Sequence, residues 1–320
     1  GAFGAGIFHL YTHAFFKALL FLGSGAVIHA MSGEQDIRKM GQLWSKIPST
    51  SKTFLIGCLA IAGIPGLSGF FSKDEILWMA FTSSHGVGHF PPVYSKVLWG
   101  VGVCAALMTA FYMFRLLYLT FFNSDRVSHE AAHHLHENPP VMTVPLWILA
   151  IGSVVVGYVG LPKAMLGGKE AAWYHFLDPV LYRAHGMAAH AEEPSASLEW
   201  TAMVVSVVVA LAGIGLATLW YRKETGTPSK LAGALSFPYK VVLNKYFVDE
   251  IYFGALIRPF VMMSRIASGV DQWLVDGTVN VVAYANEVLG MLLRFFQTGY
   301  IRNYALFILI GILVLLYFFS

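Results

Sequence analysis

The stretch His9-Leu-Tyr-Thr-His13-Ala-Phe-Phe-Lys17 sets two imidazoles and an ammonium at positions i, i+4 and i+8. On an α-helix each step of four residues advances by about 40°, so the three lie on one face. Around them, Ala18-Leu-Leu-Phe-Leu and Gly25-Ala-Val-Ile are the residues of a membrane span. A cation at bilayer depth costs about 2.5–3.5 kcal/mol on insertion scales, so such a residue faces a partner or a wet path. Two imidazoles in register with an ammonium have the chemistry of a proton wire. The plainer alternatives are a lysine that snorkels to the interface and histidines that serve as hydrogen-bonded core.

A second group follows a break. Gly63-Ile-Pro65-Gly66-Leu-Ser-Gly69 interrupts an apolar run, and Ser72-Lys73-Asp74-Glu75 comes directly after it. Proline removes a backbone donor and glycine weakens a helix, so the helix is expected to be discontinuous here. Irregular backbone at membrane depth persists only where protein buries it or a wet cavity lines it, and transporters use such breaks to present helix ends to ions. Lys73 is then a second buried cation near the membrane centre, able to load and release a proton. Ser72 and Glu75 also fit a capping box, S-x-x-E, with Asp74 in the first helical turn favouring the dipole. That reading is the expectation for Ser72 and stands level with the functional one for Glu75. It leaves Lys73 unexplained.

Hydrophobic residues make up 57% of the 320-residue chain and charged residues 12%, against about 25% charged in soluble domains. Gly 31 and Phe 24 suit packed transmembrane helices. A net charge of +3 is too small to suggest a nucleic-acid partner, and no basic cluster argues for one. Cys58 and Cys104 lie in apolar runs without CxxC spacing, which indicates neither a disulfide nor cluster ligation. No initiator methionine or signal peptide opens the chain, and it is taken as the C-terminal part of a longer protein.

Apolar runs place the spans at roughly 3–31, 53–81 (broken), 97–122, 141–160, 200–221 and 304–319. Arg38, Lys39, Lys46 and Lys52 crowd the first loop, and Arg222, Lys223, Lys230, Lys240 and Lys245 the loop after residue 221. The positive-inside rule makes those loops cytoplasmic and sets both chain ends outward. Arg115, near the inner end of its span, is expected to snorkel. His129, His133, His134 and His136 beside Glu130 and Glu137 form a loop with metal-type donors but no fixed ligand spacing, so no metal site is assigned. Residues 161–198 read as mixed and uninformative. Between Asp249 and Arg294 the chain is too apolar for a loop and too often charged for a span. At a uniform 100° per residue, Arg265, Gln272, Asp276, Asn280, Glu287 and Arg294 fall within about 40° of Arg258, with Asp271 off the stripe. That is a helix lying along a membrane surface or against other apolar helices, with Pro259 in a first turn or at a kink.

The runs HLYTHAFFKALLFLGSGAVIHAM, GIPGLSGFFSKDEIL and NKYFVDEIYFGALIRPF closely resemble the antiporter-like membrane subunits of NADH:quinone oxidoreductase, respiratory complex I, and in particular the long form that ends in a lateral helix and one further span. The resemblance covers almost the whole chain in order. It implies an all-α polytopic transmembrane bundle with a broken helix over 1–222, a connecting segment and lateral amphipathic helix over 223–300, and a terminal anchoring span over 301–320. It implies that His9, His13 and Lys17 belong to a proton path, that Lys73 is the cation of the outward half-channel, and that Asp74 and Glu75 accompany it. The family's glutamate–lysine pair of the inward half-channel would lie upstream of Gly1. It implies a multi-pass protein of the cell inner membrane with its lateral helix on the cytoplasmic side, partnered by lipid and by other membrane-arm subunits through that helix. No cofactor is expected in this chain; NADH, FMN, iron–sulfur clusters and quinone are expected in partner subunits. Across an effective dielectric of about 20, a unit charge 8 Å away is worth about 2 kcal/mol, enough for one station to influence the next. A sodium/proton antiporter subunit and a non-conducting membrane scaffold are the alternatives.

Overall fold

A computed structural model describes residues 2–83, 93–128, 131–132, 135–188, 196–223 and 225–319, with the backbone alone over 182–188. The described residues are helical or connecting, with no strand among them, as expected for a helical membrane bundle. They divide into two compact units, Gly1–Leu231 and Ala232–Ser320.

The first unit opens with α1, Phe3–Ala30, whose buried face runs through Ala5, Phe8, Thr12, Phe16, Leu19, Gly23 and Ala26. His9 and His13 sit at the edge of that face, half-buried, and Lys17 is exposed. Helices α2, Pro48–Ala62, and α3, Ser68–Thr82, form the broken helix. Each half has 15 residues, about 22 Å at 1.5 Å per residue, so neither alone crosses a bilayer core of about 30 Å. Next come α4, Val93–Leu117, continued by a π turn over Tyr118–Phe122, and α5, Pro140–Val155, continued by a 3₁₀ segment over Val156–Gly160. Helix α6, Ala172–Ala188, carries Pro179 within it. Helix α7, Ala196–Tyr221, packs along α4. By length and composition α1, α4, α5 and α7 can each cross a membrane.

Polar side chains close the two ends of this bundle. At the basic end Lys46 pairs with Asp125 at 2.8 Å, Asn123 donates to the Tyr221 carbonyl and Asn138 to the Ala26 carbonyl. Glu137 accepts from the Ser49 amide and the Thr50 hydroxyl, a carboxylate set at the amino end of α2. Arg115 lies over the Tyr221 ring at 5.4 Å, at the end of α4 where a snorkelling side chain was expected. At the opposite end the Trp173 indole donates to the Gly4 carbonyl and stacks on Tyr11, clamping α6 over the start of α1. Gly4 and Gly160 allow this close fit, since a Cβ there would lie 2.8 Å from Tyr174 and 2.4 Å from Phe8. His129, Glu130, His133 and His134 lie outside the described residues.

The second unit holds α9, Ser236–Leu243, and a long helix that reaches Phe296; the short α8, Thr227–Ala234, spans the division. Lys245, Tyr246 and Phe247 are all left-handed, with φ of 52°, 59° and 55°. Such a run costs non-glycine residues roughly 1–2 kcal/mol each and marks a sharp reversal before the long helix. The helix comprises α10 (Val248–Tyr252), α11 (Arg258–Val270) and α12 (Gly277–Phe296), joined by π turns over Phe253–Ile257 and Asp271–Asp276. Pro259 has no N–H for the Ala255 carbonyl, and the preceding π turn is where the backbone absorbs that loss. The second turn corrects the expectation of a single narrow polar stripe. The π turn over Asp271–Asp276 takes up extra backbone within the stripe, so residues beyond Asp276 are rotated back from the uniform count that aligned them with Arg258. The 52 residues from Lys245 to Phe296 are also long and apolar enough to cross a membrane, though at about 78 Å they far exceed what one crossing needs. Helix α13, Ile301–Phe319, is a further apolar helix of spanning length.

Candidate functional site

The break is built around the orphan carbonyls at the end of α2. Gly63 adopts φ 85°; its amide bonds the Ala60 carbonyl and the Ile64 amide bonds that of Leu59, a Schellman closure. The Ile61 carbonyl is left over, and the Lys73 ammonium donates to it at 2.7 Å. A cation at the carboxyl end of a half-helix meets the negative end of its dipole. Glycine at 63 is favoured by its positive φ rather than by space, since a Cβ there would lie in ordinary contact with the Lys73 side chain, at 3.8 and 4.0 Å. At Gly69 the two halves nearly touch, and a Cβ would fall 2.0 Å from the Ala60 carbonyl oxygen. Lys73 is therefore placed by helix backbone rather than by a neighbouring carboxylate.

Towards α1 the partner of the break is a hydroxyl pair. Thr12 and Ser72 are both 0% exposed, and the Thr12 hydroxyl donates to Ser72 Oγ at 2.6 Å. His9 Nδ1 lies 3.0 Å from the same oxygen. The rings of His9 and His13 are 5.9 Å apart. Lys17 acts electrostatically on His13, and both His13 and Lys73 act on His9. The structure thus sets Lys17, His13, His9 and Lys73 in one sequence of neighbours across α1 and α3.

This overturns the capping-box reading. Helix α3 starts at Ser68, its cap residue is Leu67, and no side chain caps it. Ser72 lies a full turn inside and bonds α1 as well as the Ser68 carbonyl. Asp74 is likewise past the first turn, which holds no acidic residue.

Asp74 and Glu75 face away from Lys73, because consecutive helical residues point about 100° apart. They meet α6 and α7 instead. The Tyr174 hydroxyl donates to Glu75 Oε1 at 2.8 Å. Asp74 reaches Ser206, and both carboxylates lie in the field of Glu199. Glu199 is held by the Ala164 amide at 3.2 Å. Asp74, Glu75 and Glu199 are 4%, 8% and 8% exposed. Sequence reasoning missed Tyr174 and Glu199. The one signal for Glu199 was a lone carboxylate entering an apolar span between Leu198 and Trp200. Nearer the surface, Glu170, His175 and Asp178 bring ligand-type atoms within 4.8 Å of one another.

The described residues thus form a bundle of apolar helices with ionisable side chains gathered on both sides of a helix break. Residues 1–98 match the family described as NADH:quinone oxidoreductase/Mrp antiporter, transmembrane. Along 100% of its length it is 37% identical to the NAD(P)H-quinone oxidoreductase chain 5 of a Picosynechococcus species, covering 49% of that protein. It is 34% identical to NADH-quinone oxidoreductase subunit L of Rickettsia bellii over 99% of the chain and 47% of the relative. Subunit L of Mycobacterium tuberculosis is 38% identical over 95% of the chain and 44% of the relative. The chain spans about half the length of the curated relatives it matches.

Proposed function

We propose that this chain is part of a proton-translocating membrane subunit of NADH:quinone oxidoreductase. In this reading Lys17, His13 and His9 pass protons along one face of α1 towards Lys73, and Asp74 and Glu75 serve the outward side of the break. The observation that carries it is the Lys73 ammonium held on the free Ile61 carbonyl, within electrostatic reach of His9. A lysine so held needs no carboxylate partner to stay in place, so its proton can leave without breaking an ion pair. NADH, FMN, iron–sulfur and quinone chemistry would belong to partner subunits, and the basic end of the bundle would face the cytoplasm. The relatives' names favour the respiratory enzyme over a sodium/proton antiporter, and the ionisable sequence across α1 and α3 favours translocation over a scaffold role.

The test is Lys73→Ala in the full-length protein in native membranes, with NADH-driven quinone reduction and proton uptake followed side by side. Assembled enzyme with lowered pumping is the expected result. Normal pumping with normal assembly would make the break and its lysine architecture alone.

A further inference from the structure

Asp74 and Glu75 take the outward side of the break in the reading above, with no route yet given by which a proton would leave it. The acidic cluster there is assembled from three separate elements: Asp74 and Glu75 from α3, Tyr174 from α6 and Glu199 from α7. All three carboxylates are under 9% exposed, and Asp74 Oδ1 is buried with no hydrogen-bond partner among the described residues. The cluster also leads outward. Tyr174 lies in the field of Glu170, and Glu75 in that of Lys163. Those two exposed residues pair at 3.4 Å on the loop before α6. Buried acid, phenol, buried acid and exposed ion pair thus follow one another from the middle of α3 to the surface at the end opposite the basic loops.

We propose that Glu199, with Glu75, forms the outlet relay of the proton path, and that Tyr174 is the residue that positions Glu75 for it. This rests on the translocation reading above. A proton arriving on the Glu75 carboxylate makes the neutral acid and relieves repulsion from Asp74 and Glu199. That acid gives its proton to the Glu199 carboxylate, directly or through one water, and returns to its anion. Glu199 passes the proton to water at the Lys163–Glu170 rim, forming hydronium, and regains its charge. No electron moves, and Tyr174 keeps its O–H throughout, holding Oε1 of Glu75 so that the other oxygen remains free for transfer. The Ala164 amide does the same for Glu199.

The experiment compares Glu199→Gln, Glu199→Asp and Tyr174→Phe with Lys73→Ala, each in the full-length protein in native membranes, reading proton uptake per NADH oxidised at matched assembly. Glutamine keeps an oxygen for the Ala164 amide but carries no transferable proton, and proton flux through this path should fall by about 100-fold or more, as for loss of a positioned proton-transfer group. Aspartate should restore most of it. Normal pumping in assembled Glu199→Gln beside impaired Lys73→Ala overturns the relay and leaves the wider reading intact. Equal loss in the Asp and Gln variants also overturns it, because it marks a packing role. Normal pumping in Lys73→Ala defeats the underlying reading and the relay with it. Should Glu199→Gln not assemble, Tyr174→Phe decides: it keeps the ring against Gly4, and unchanged pumping overturns the proposal.

Discussion

Replacing Gly69 by alanine tests how the break sets the site without touching any proton-bearing group. Helix propensity alone favours the change by about 1 kcal/mol, since glycine is a poor residue inside a helix. The packing opposes it. The new Cβ would lie 2.0 Å from the Ala60 carbonyl oxygen, whereas real Cβ atoms essentially never approach closer than 3.0 Å, so α2 and α3 must part by at least about 1 Å. The Schellman closure fixes the end of α2, so α3 moves, and Ser72 moves with it. Its bonds to His9 and Thr12, at 3.0 and 2.6 Å, are made by short side chains that cannot follow; both open beyond hydrogen-bonding range. Both hydroxyls keep a bond within their own helix, Thr12 to the His9 carbonyl and Ser72 to that of Ser68, so losing the two interhelical bonds costs about 1–3 kcal/mol in all. A misplacement of about 1 Å in a reacting geometry can lower a rate by up to about 100-fold. Gly69→Ala in the full-length protein should therefore show a lower unfolding temperature of the purified complex and a pumping deficit of at least about tenfold. A rise in stability with full pumping would mean that the approach of α3 to α2 is slack, and the reasoning from Gly69 to Ser72 would fail.

Two further outcomes follow from the same contacts. In a double-mutant cycle, Ser72→Ala should couple to His9→Ala by about 0.5–1.5 kcal/mol of unfolding free energy and to Glu75→Gln by less than about 0.5; the reverse ranking would restore the capping box. The Lys46 ammonium hydrogen-bonded to Asp125 holds that carboxyl below its ordinary range. A depressed carboxylate contributes stability that is present above its unfolded value and lost as pH falls through the folded one. With both side chains partly exposed the contribution is under about 1 kcal/mol, so Asp125→Asn should lower the unfolding temperature slightly at pH 7 and match the parent once pH has fallen well below the ordinary carboxylate range; an equal difference at both would remove the ion pair from the account.

The spans were legible because apolar runs of bilayer length leave few alternatives, and the break was legible because proline and three glycines cannot continue a helix. The register of α3 was not. Ser72-Lys73-Asp74-Glu75 reads locally as a helix start, and only the tertiary fit of Gly69 against Ala60 shows that the helix begins five residues earlier. The polar stripe of the long helix failed for a similar reason: a constant 100° step has no place for the π turn at Asp271–Asp276. Tyr174 and Glu199 were beyond reach because their meaning lies in contacts roughly a hundred residues away in sequence, on elements whose composition is ordinary.

Three consecutive ionisable residues on a helix must face three directions, and this constrains how the site can work. Lys73 faces the end of α2, Glu75 faces α6, and Asp74 faces α7, so no single side-chain motion joins them. What they share is α3 itself, a short rigid element anchored at one end by the Gly69 contact and by Ser72. A shift of α3 against α2 changes the Lys73–Ile61 bond, the Ser72–His9 bond and the Glu75–Tyr174 bond together. Communication between the lysine side and the acidic side is then carried by position of the helix as well as by charge. The two routes separate experimentally. Charge alone predicts that Lys73→Ala and Gly69→Ala have unrelated effects on pumping. A common rigid element predicts that Gly69→Ala, which keeps every charge, reproduces much of the Lys73→Ala deficit.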